Sequence, residues 1–261
     1  MNCKSEVKKI RTWLKRYTEG AQLKSLVLGV SGGVDSALVA ALAYHVCNKE
    51  LGIPLVLVSL PSKSNKPDEL KRARDICRTY SHRWFEAEID SEVELISSHQ
   101  LSLLNIPNEK IRKGNVKARV RMIHLYNTAF SCQGAVLSTD NLTEYLLGFW
   151  TLHGDVGDIA PIQHYWKTEV YQLAQWIVDN EGTRAQKRAL QACIKAVPTD
   201  GLGITNSDLD QLGASSYAEV DKILKSHIWN GSEKYKDHII IKRWRATHFK
   251  RNNPCCYLRL F

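Results

Sequence analysis

The segment from residue 29 to residue 36 has the composition of a phosphate-binding turn. Its members are Gly29, Val30, Ser31, Gly32, Gly33, Val34, Asp35 and Ser36. Adjacent glycines let a backbone approach an anion closely, and the first N–H groups of a following helix point toward that anion. Ser31 and Ser36 add hydroxyl donors. Asp35 would repel a phosphate unless a cation lay between them, so the segment predicts a magnesium ion at Asp35.

The order of residues in this segment excludes two other nucleotide-binding loops. No Lys follows the glycines, as a Walker A loop requires, and the spacing of a dinucleotide-binding glycine loop is absent. The S-G-G-x-D-S order resembles the pyrophosphate loop of the N-type ATP pyrophosphatases, which activate a carboxylate or carbonyl as an adenylate. The resemblance implies a Rossmann-like α/β fold of the adenine nucleotide alpha-hydrolase type. The alternative is a glycine-rich turn whose serine caps a helix.

Three later segments resemble the NAD synthetases in order and spacing. They are residues 113–122 (KGNVKARVRM), 138–144 (STDNLTE) and 148–161 (GFWTLHGDVGDIAP). The resemblance implies that Arg119 and Asp158 contact deamido-NAD. It also implies that Thr139 binds ATP and that Glu144 joins Asp35 as a magnesium ligand. From residue types alone, the first segment is equally an exposed basic helix and the second a helix cap followed by a favourably placed acid.

Two departures from the family pattern fall in the third segment. Leu152 stands where the family has a substrate-binding Lys, and one residue is missing between Asp155 and Asp158. We therefore expect the side of the site that faces the nicotinate ring to be built differently.

The second half of the chain carries three shorter matches to the same family. They are residues 166–170 (WKTEV), 197–202 (VPTDGL) and 249–251 (FKR). The resemblance implies that Lys167 and Thr199 contact ATP. It places Phe249 and Lys250 at deamido-NAD, although Phe249 replaces the family's His. From residue types alone, Lys167 is a lysine in the first turn of a helix, where the helix dipole slightly disfavours it.

The family resemblance implies a ligase that forms a C–N bond. ATP adenylates the nicotinate carboxylate of deamido-NAD and releases pyrophosphate, and ammonia then displaces AMP to give NAD. The catalytic residues implied are Asp35, Asp155, Asp158 and Lys167, with Asp155 or Asp158 orienting or deprotonating ammonium. The implied cofactor is Mg²⁺, and the implied assembly is a homodimer. Because the chain has no room for a glutaminase domain, we expect free ammonia unless a separate partner supplies it.

Alternating strand-like and helix-like segments predict a doubly wound parallel sheet with flanking helices in a single domain over residues 1–261. Strands are predicted over residues 26–30, 54–60, 84–89 and 135–138. Helices are predicted over residues 5–18, 36–46, 67–80, 91–103 and 115–132, with a loop over 104–114. From about residue 167 the chain is predicted to be mainly helical, over 167–181, 216–227 and 234–247. Such a sheet binds ligands beyond the carboxyl ends of its strands.

Composition excludes some classes of protein but, unlike the motifs, does not indicate a reaction. No run of eighteen apolar residues and no secretory signal occurs, so a cytoplasmic protein without a membrane span is expected. The seven cysteines are an odd number without a C-x-x-C pair, which favours reduced thiols over disulfides or a zinc ribbon. The net charge of +9 fits either nucleic acid or a polyanionic small molecule.

Two further functional hypotheses stay open from the sequence. One is another pyrophosphate-loop enzyme, such as a tRNA-modifying enzyme, which the basic charge favours. Against it, no paired cysteines and no added RNA-binding domain are found, so a nucleic-acid partner is not expected. The other is an inactive nucleotide-binding homologue, which Leu152 and Phe249 favour. Asp35 and Glu144 argue against it, because an inactive protein does not need metal-binding acids.

Overall fold

The computed structural model describes residues 1–98, 108–155, 157–198 and 207–254. Its four strands, β1 (Ser25–Gly29), β2 (Leu55–Ser59), β3 (Arg83–Glu86) and β4 (Gly134–Val136), form one parallel sheet in the order β3-β2-β1-β4. Strand β1 therefore lies between β2 and β4, with Leu26 opposite both Leu55 and Ala135. An isolated parallel bridge from Leu137 to Ile159 extends the edge beyond β4.

Twelve α-helices are described. In chain order, α1 to α6 are Cys3–Gly20, Val34–His45, Pro67–Tyr80, Asp90–Ser98, Glu109–Ser131 and Leu142–Leu147. Helices α7 to α12 are Lys167–Asn180, Arg184–Ile194, Asp208–Leu212, Tyr217–Leu224, Ile239–Ala246 and His248–Arg251. Short π-helical turns occupy Val46–Leu51 and Lys225–Trp229, and a 3₁₀ turn occupies Glu233–Tyr235. None of the described helices is both long and apolar enough to cross a bilayer.

The sheet is covered on both faces, as its sequence pattern predicts. Successive side chains of a strand point to opposite faces. Leu26 and Leu28 accordingly pack in one cluster with α1, α2, α3, α7 and α8, whereas Val27 packs in a second cluster with α4 and α5. Strands buried on both faces are continuous apolar runs, which is why β1 and β2 were recognisable. The predicted doubly wound α/β fold is confirmed.

A third apolar cluster lies in the C-terminal part of the chain. It joins α6, α9, α10 and α11 to the start of α7 through residues such as Leu147, Trp166 and Leu224. This cluster carries the mainly helical character predicted from about residue 167. Helix α8 was not predicted, although Thr183 and Gln186 form a capping box that marks its start.

Several predicted element boundaries were wrong. Helix α5 begins at Glu109, inside the predicted loop over 104–114. The buried Gly114 does not break it, and Lys113 pairs with Glu109 at 3.0 Å one turn earlier. The predicted helix over 216–227 becomes π-helical at 225, and the one over 234–247 is α-helical from residue 239. Residues 99–103 of the predicted helix over 91–103 lie outside the described residues.

The cysteines that the structure describes are unpaired, namely Cys3, Cys47, Cys77, Cys132 and Cys193. Burial raises the pKa of Cys47, Cys77 and Cys193 to about 12 in each case. These three thiols are therefore protonated at neutral pH and serve as small apolar side chains of the core.

Candidate active site

The segment over residues 29–36 forms the turn between β1 and α2, hereafter the β1–α2 turn. Gly32 has φ +84°, and a Cβ at this position would lie 2.4 Å from the main-chain oxygen of Glu69 on α3. Only glycine fits there, because α3 packs directly on the turn. Helix α2 begins at Val34, and its N-cap residue Gly33 provides no side-chain cap. The positive end of this helix is thus left open to an anion.

Two hydroxyl groups hold the β1–α2 turn in shape. The Ser31 and Ser36 Oγ atoms lie 3.1 Å apart, and Ser31 N donates to Ser36 Oγ at 3.3 Å. Gly33 N donates to Ser31 Oγ at 3.2 Å. Both serines predicted to bind ATP therefore also define the backbone that would receive it.

Three separately predicted residues meet beside this turn. Lys167 Nζ lies 2.5 Å from Asp35 Oδ2 and 2.7 Å from Glu144 Oε1. The Lys167 side chain is only 4% exposed, and each carboxylate is 16% exposed. Tyr217 covers the ammonium, with its ring centroid 5.1 Å away. We call Asp35, Glu144 and Lys167 the charged triad.

Burial and charge act in opposite directions on the charged triad. Burial lowers the pKa of Lys167, but Asp35 and Glu144 outweigh burial and raise it well above its ordinary value. Burial raises the pKa of Glu144, against the charge of Lys167. The ammonium is therefore charged at neutral pH and lies between two largely buried carboxylates.

Asn141, which sequence reasoning did not single out, fixes both acids of the triad. Its Nδ2 donates to Asp35 Oδ1 at 2.8 Å, and its Oδ1 accepts from Glu144 N at 3.0 Å. Asn141 is fully buried and caps α6. The signal was available, because Asn before a helix is a preferred cap. Asn141 therefore both caps α6 and belongs to the candidate site.

Asp221 positions the third member of the triad from the C-terminal part. It accepts from Thr143 Oγ1 at 2.5 Å, from Thr168 N at 3.1 Å and from Thr168 Oγ1 at 2.7 Å. Thr143 Oγ1 in turn accepts from Lys167 N at 2.9 Å. This buried network ties the start of α7 to α6, and thereby places Lys167 beside Glu144.

Two adjoining cavities surround the triad. The large cavity, of about 440 Å³, lies beyond the carboxyl ends of β1, β2 and β4. The turn cleft, of about 120 Å³, lies against the β1–α2 turn and the start of α7. Ser31 and Glu144 line both of them. This is the place at which open α/β sheets bind ligands.

The predicted ATP ligands divide between the two cavities. The large cavity is lined by Gly29, Val30, Ser31 and Thr139, and the turn cleft by Ser31, Gly32, Gly33, Val34, Asp35 and Lys167. Thr199 lies outside the described residues. Ser36 is buried and lines neither cavity, so its contact with ATP stays a prediction. The other described residues predicted to bind ATP line one or both of the two adjoining cavities.

The large cavity is lined by several charged residues, of which Asp155 was predicted and Asp140 and Arg121 were not. Asp155 accepts from Thr151 N at 2.7 Å, and burial raises the pKa of both Asp140 and Asp155. Arg121 is half-buried, with its Nε donating to Leu60 O at 3.0 Å. Arg119, the predicted deamido-NAD ligand, is exposed and donates from Nε to Leu152 O at 3.2 Å. Because α5 turns Arg121 inward, Arg121 and not Arg119 lines this cavity, together with Arg243 of α11.

The remaining predicted contacts of deamido-NAD are spread over different places. Lys250 lines the large cavity and donates to Gly148 O at 2.7 Å and to Trp150 O. Phe249 is 60% exposed. Asp158 accepts from Val136 N at 2.8 Å, so its carboxylate stabilises strand β4. The roles of Phe249 and Asp158 in substrate binding stay predictions.

The described residues contain no group of three or more His, Cys, Asp or Glu side chains that could hold a metal ion. The two carboxylates of the charged triad are nevertheless aimed at one cation. Two carboxylates suffice for Mg²⁺ when substrate phosphates and water complete its coordination. The donor set therefore fits a magnesium ion that arrives with a nucleotide.

Comparisons with known proteins agree with this geometry. The NAD synthase family model matches residues 6–254. The NH(3)-dependent NAD(+) synthetase of Thermoplasma acidophilum is 31% identical over 255 residues, which cover 95% of each chain. That of Methanoregula boonei is 34% identical over 235 residues, covering 87% of this chain and 86% of the relative.

Solved structures give the same result. The NMN synthetase of Francisella tularensis superposes with a TM-score of 0.81 at 26% identity, over 100% of this chain and 98% of that one. The NH3-dependent NAD synthetase of Campylobacter jejuni has a TM-score of 0.74 over 99% and 100% of the two chains, and at 24% identity it supports the fold alone. The pyrophosphate-type turn, the charged triad and a family match over nearly the whole chain lead to one conclusion: this chain belongs to the NAD synthase family.

Proposed function

We propose that this protein is a ligase that amidates deamido-NAD with ammonia and ATP to form NAD, releasing AMP and pyrophosphate. The observation that carries the proposal is the position of the charged triad, at the junction of the β1–α2 turn and the large cavity. A nucleotide in the large cavity would extend its phosphates into the turn cleft, where the open end of α2 receives anions.

The reaction has two balanced steps. An oxygen of the nicotinate carboxylate forms a bond to the α-phosphorus of ATP, and the bond from that phosphorus to the bridging oxygen breaks. The electron pair leaves with pyrophosphate. Ammonia then attacks the carbonyl carbon of the adenylate, AMP leaves with the electron pair of its C–O bond, and the nitrogen loses one proton to solvent. The N–H groups of the turn stabilise charge on the departing pyrophosphate.

One of the acids that line the large cavity suits the second step. Asp155 lines the large cavity, where desolvation raises its pKa and the hydrogen bond from Thr151 N and the charge of Arg121 oppose this rise. A carboxylate in such surroundings can hold an ammonium ion and accept its proton as ammonia is released. We assign this role to Asp155 rather than to Asp158, because Asp158 is engaged with the main chain of β4.

We further propose that Asp35 and Glu144 hold Mg²⁺. Their oxygens already converge on the Lys167 ammonium at 2.5 and 2.7 Å, so this ammonium stands in for the divalent ion. When bound, magnesium supplies positive charge that shields the acids from the phosphates and stabilises the leaving pyrophosphate. Lys167 would then be available to a phosphate oxygen.

We also propose a cytoplasmic homodimer. The exposed apolar side chains of α5, Ile123 at 57% and Phe130 at 89%, support an interface on that helix. Light scattering after size-exclusion chromatography tests the assembly, and a monomer at micromolar concentration would contradict it.

The test of function is a coupled assay with ATP, Mg²⁺, deamido-NAD and ammonium chloride. NAD is measured enzymatically and pyrophosphate independently, and both should form in equal amounts. Adenylation of tRNA without NAD formation would instead support a tRNA-modifying enzyme. ATP binding without either reaction would indicate an inactive homologue.

A second acceptor is supported by one specific observation. The protein that superposes with a TM-score of 0.81 is named an NMN synthetase, and that name implies a mononucleotide acceptor. The family departures Leu152 and Phe249 also fall in segments that the resemblance assigns to deamido-NAD. Comparing kcat/KM for deamido-NAD and nicotinate mononucleotide in the same assay decides between them. A ratio above ten in either direction identifies the acceptor.

A further inference from the structure

Arg72 is a cation of α3 that lies against the β1–α2 turn, and no sequence motif pointed to it. Its Nε donates to Gly32 O at 3.0 Å, and the half-buried side chain lines the turn cleft. Close packing holds α3 here, because a Cβ on Gly32 would lie 2.4 Å from Glu69 O and 3.1 Å from Ala73 N. The guanidinium is thus positioned on the turn itself.

The charges of the turn cleft explain why this position matters. The lining contains the acids Asp35, Glu69, Glu144 and Asp208 and the cations Arg72 and Lys167. Lys167 is already shared between two acids of the charged triad. Arg72 forms no ion pair with the parts of the chain that the structure describes. A polyphosphate entering this acidic cleft therefore meets one cation that is not already engaged by a carboxylate of the described ranges.

The chemistry of the guanidinium matches a phosphate group. Arginine carries five N–H donors in a planar fork, and the Nε–H toward Gly32 uses one of them. The four N–H groups of the two Nη atoms remain for an anion. Anchoring Nε on the turn also restricts the long side chain before any ligand arrives, so less rotational freedom is lost on binding.

We propose that Arg72 binds the β- and γ-phosphates of ATP and the pyrophosphate released from them, from the α3 side of the β1–α2 turn. This inference rests on the proposed cleavage of ATP between the α- and β-phosphates. As the bond to the α-phosphorus breaks, its electron pair passes to the bridging oxygen of pyrophosphate. Arg72 stabilises that added charge from α3, and Lys167, at the start of α7, lines the same cleft.

The test is pyrophosphate binding by isothermal titration calorimetry on the full chain with Mg²⁺ present. Arg72→Gln should weaken pyrophosphate affinity about tenfold or more and raise KM for ATP similarly, because a charge-assisted hydrogen-bond pair is lost. AMP affinity should change less than about twofold, since AMP lacks both phosphates. The matched control is Arg78→Gln on the same helix, where Arg78 is 59% exposed and lies outside the cleft lining.

Three outcomes decide the inference. Wild-type pyrophosphate affinity in Arg72→Gln would overturn it, and so would an equal loss of AMP and pyrophosphate affinity, which indicates a distorted turn. If Arg72→Gln does not fold, Arg72→Lys keeps the charge but loses the fork, and should show the same selective loss to a smaller extent. Wild-type protein that binds pyrophosphate through Arg72 but amidates neither acceptor would refute the proposed function and leave this inference standing.

Discussion

Two largely buried ionic groups of this protein differ in their ratio of cations to carboxylates. Arg11 of α1 contacts Glu181 after α7 through two parallel bonds, from Nη1 at 2.9 Å and from Nη2 at 2.6 Å. One cation there meets one carboxylate, and both oxygens are used. In the charged triad, by contrast, a single ammonium serves Asp35 and Glu144.

The difference separates a structural pair from a functional one. The charges of the Arg11–Glu181 pair balance each other, so the pair needs no ligand. The charged triad has a surplus of acid, with two carboxylates for one ammonium, and Asp140 and Asp155 are two further acids that line the adjoining large cavity. Surplus buried charge costs stability unless a cation arrives. We infer that the surplus is retained for metal and substrate, as in other sites with strongly perturbed acids.

The largest effect is expected for Asp35→Asn. Amide formation should fall about a thousandfold, because the proposed magnesium ion would lose a ligand beside the pyrophosphate on which charge develops. Stability should change little or increase, since the surplus charge is reduced while Asn141 keeps a partner. Amidation rates and thermal unfolding measured on one preparation check both parts. Wild-type activity in this variant would show that the charged triad does not serve catalysis.

Lys167→Met tests whether the ammonium occupies the metal position. Amidation should fall about a hundredfold through loss of a phosphate contact. Without nucleotide, however, the variant should bind Mn²⁺ more tightly than wild type, because both carboxylates are released. Electron paramagnetic resonance of free Mn²⁺ measures this directly. Equal Mn²⁺ affinity in the two proteins would show that the lysine does not compete with the metal.

Arg11→Met should affect stability without affecting chemistry. Glu181 loses its partner in a partly buried site, and we expect unfolding to become easier by about 2 kcal/mol, less than for a fully buried pair. The value of kcat should stay within about twofold, because neither Arg11 nor Glu181 lines the large cavity or the turn cleft. Urea denaturation and steady-state kinetics are the two measurements. A large fall in kcat would mean that the pair also serves the site.

Glu181→Gln tests how the Arg11–Glu181 pair makes the stability of the fold depend on pH. Burial raises the pKa of Glu181, but the hydrogen bond and charge of Arg11 outweigh it and lower the pKa below its ordinary value of 4.5. The ionised carboxylate therefore stabilises the fold above pH 4.5, and this contribution is lost as pH falls through the folded-state pKa. Wild type should lose more stability than Glu181→Gln on acidification from neutral pH. Parallel unfolding curves would contradict the assignment.

The smallest effect is expected for Phe249→Ala. The side chain is 60% exposed and does not line the large cavity, so amidation should change less than about twofold. The neighbouring Lys250 is the contrasting case, because it lines the cavity, and Lys250→Met should raise KM for the acceptor. A strong effect of Phe249→Ala would restore its predicted contact with deamido-NAD.

Local sequence was sufficient for the β1–α2 turn and for the sheet. A buried strand, two glycines and a helix start are neighbours in the chain, so their physical signal survives without tertiary context. Glu144 was assigned from the family resemblance, because local sequence indicated only a helix cap followed by an acid. The helix cap at Thr183 was equally local and was missed.

Tertiary structure alone decided which way each side chain points and which residues distant in the sequence meet. Lys167 and Asp35 are 132 residues apart, and nothing near either residue specifies the other. Helical periodicity separates Arg119 from Arg121, but only the packing of α5 on the sheet turns Arg121 inward. Likewise Asp158 faces β4 and Arg72 faces the turn. The sequence by itself determined which chemistry is available, and packing decided which side chains reach it, because helix faces become distinct only when one of them is buried.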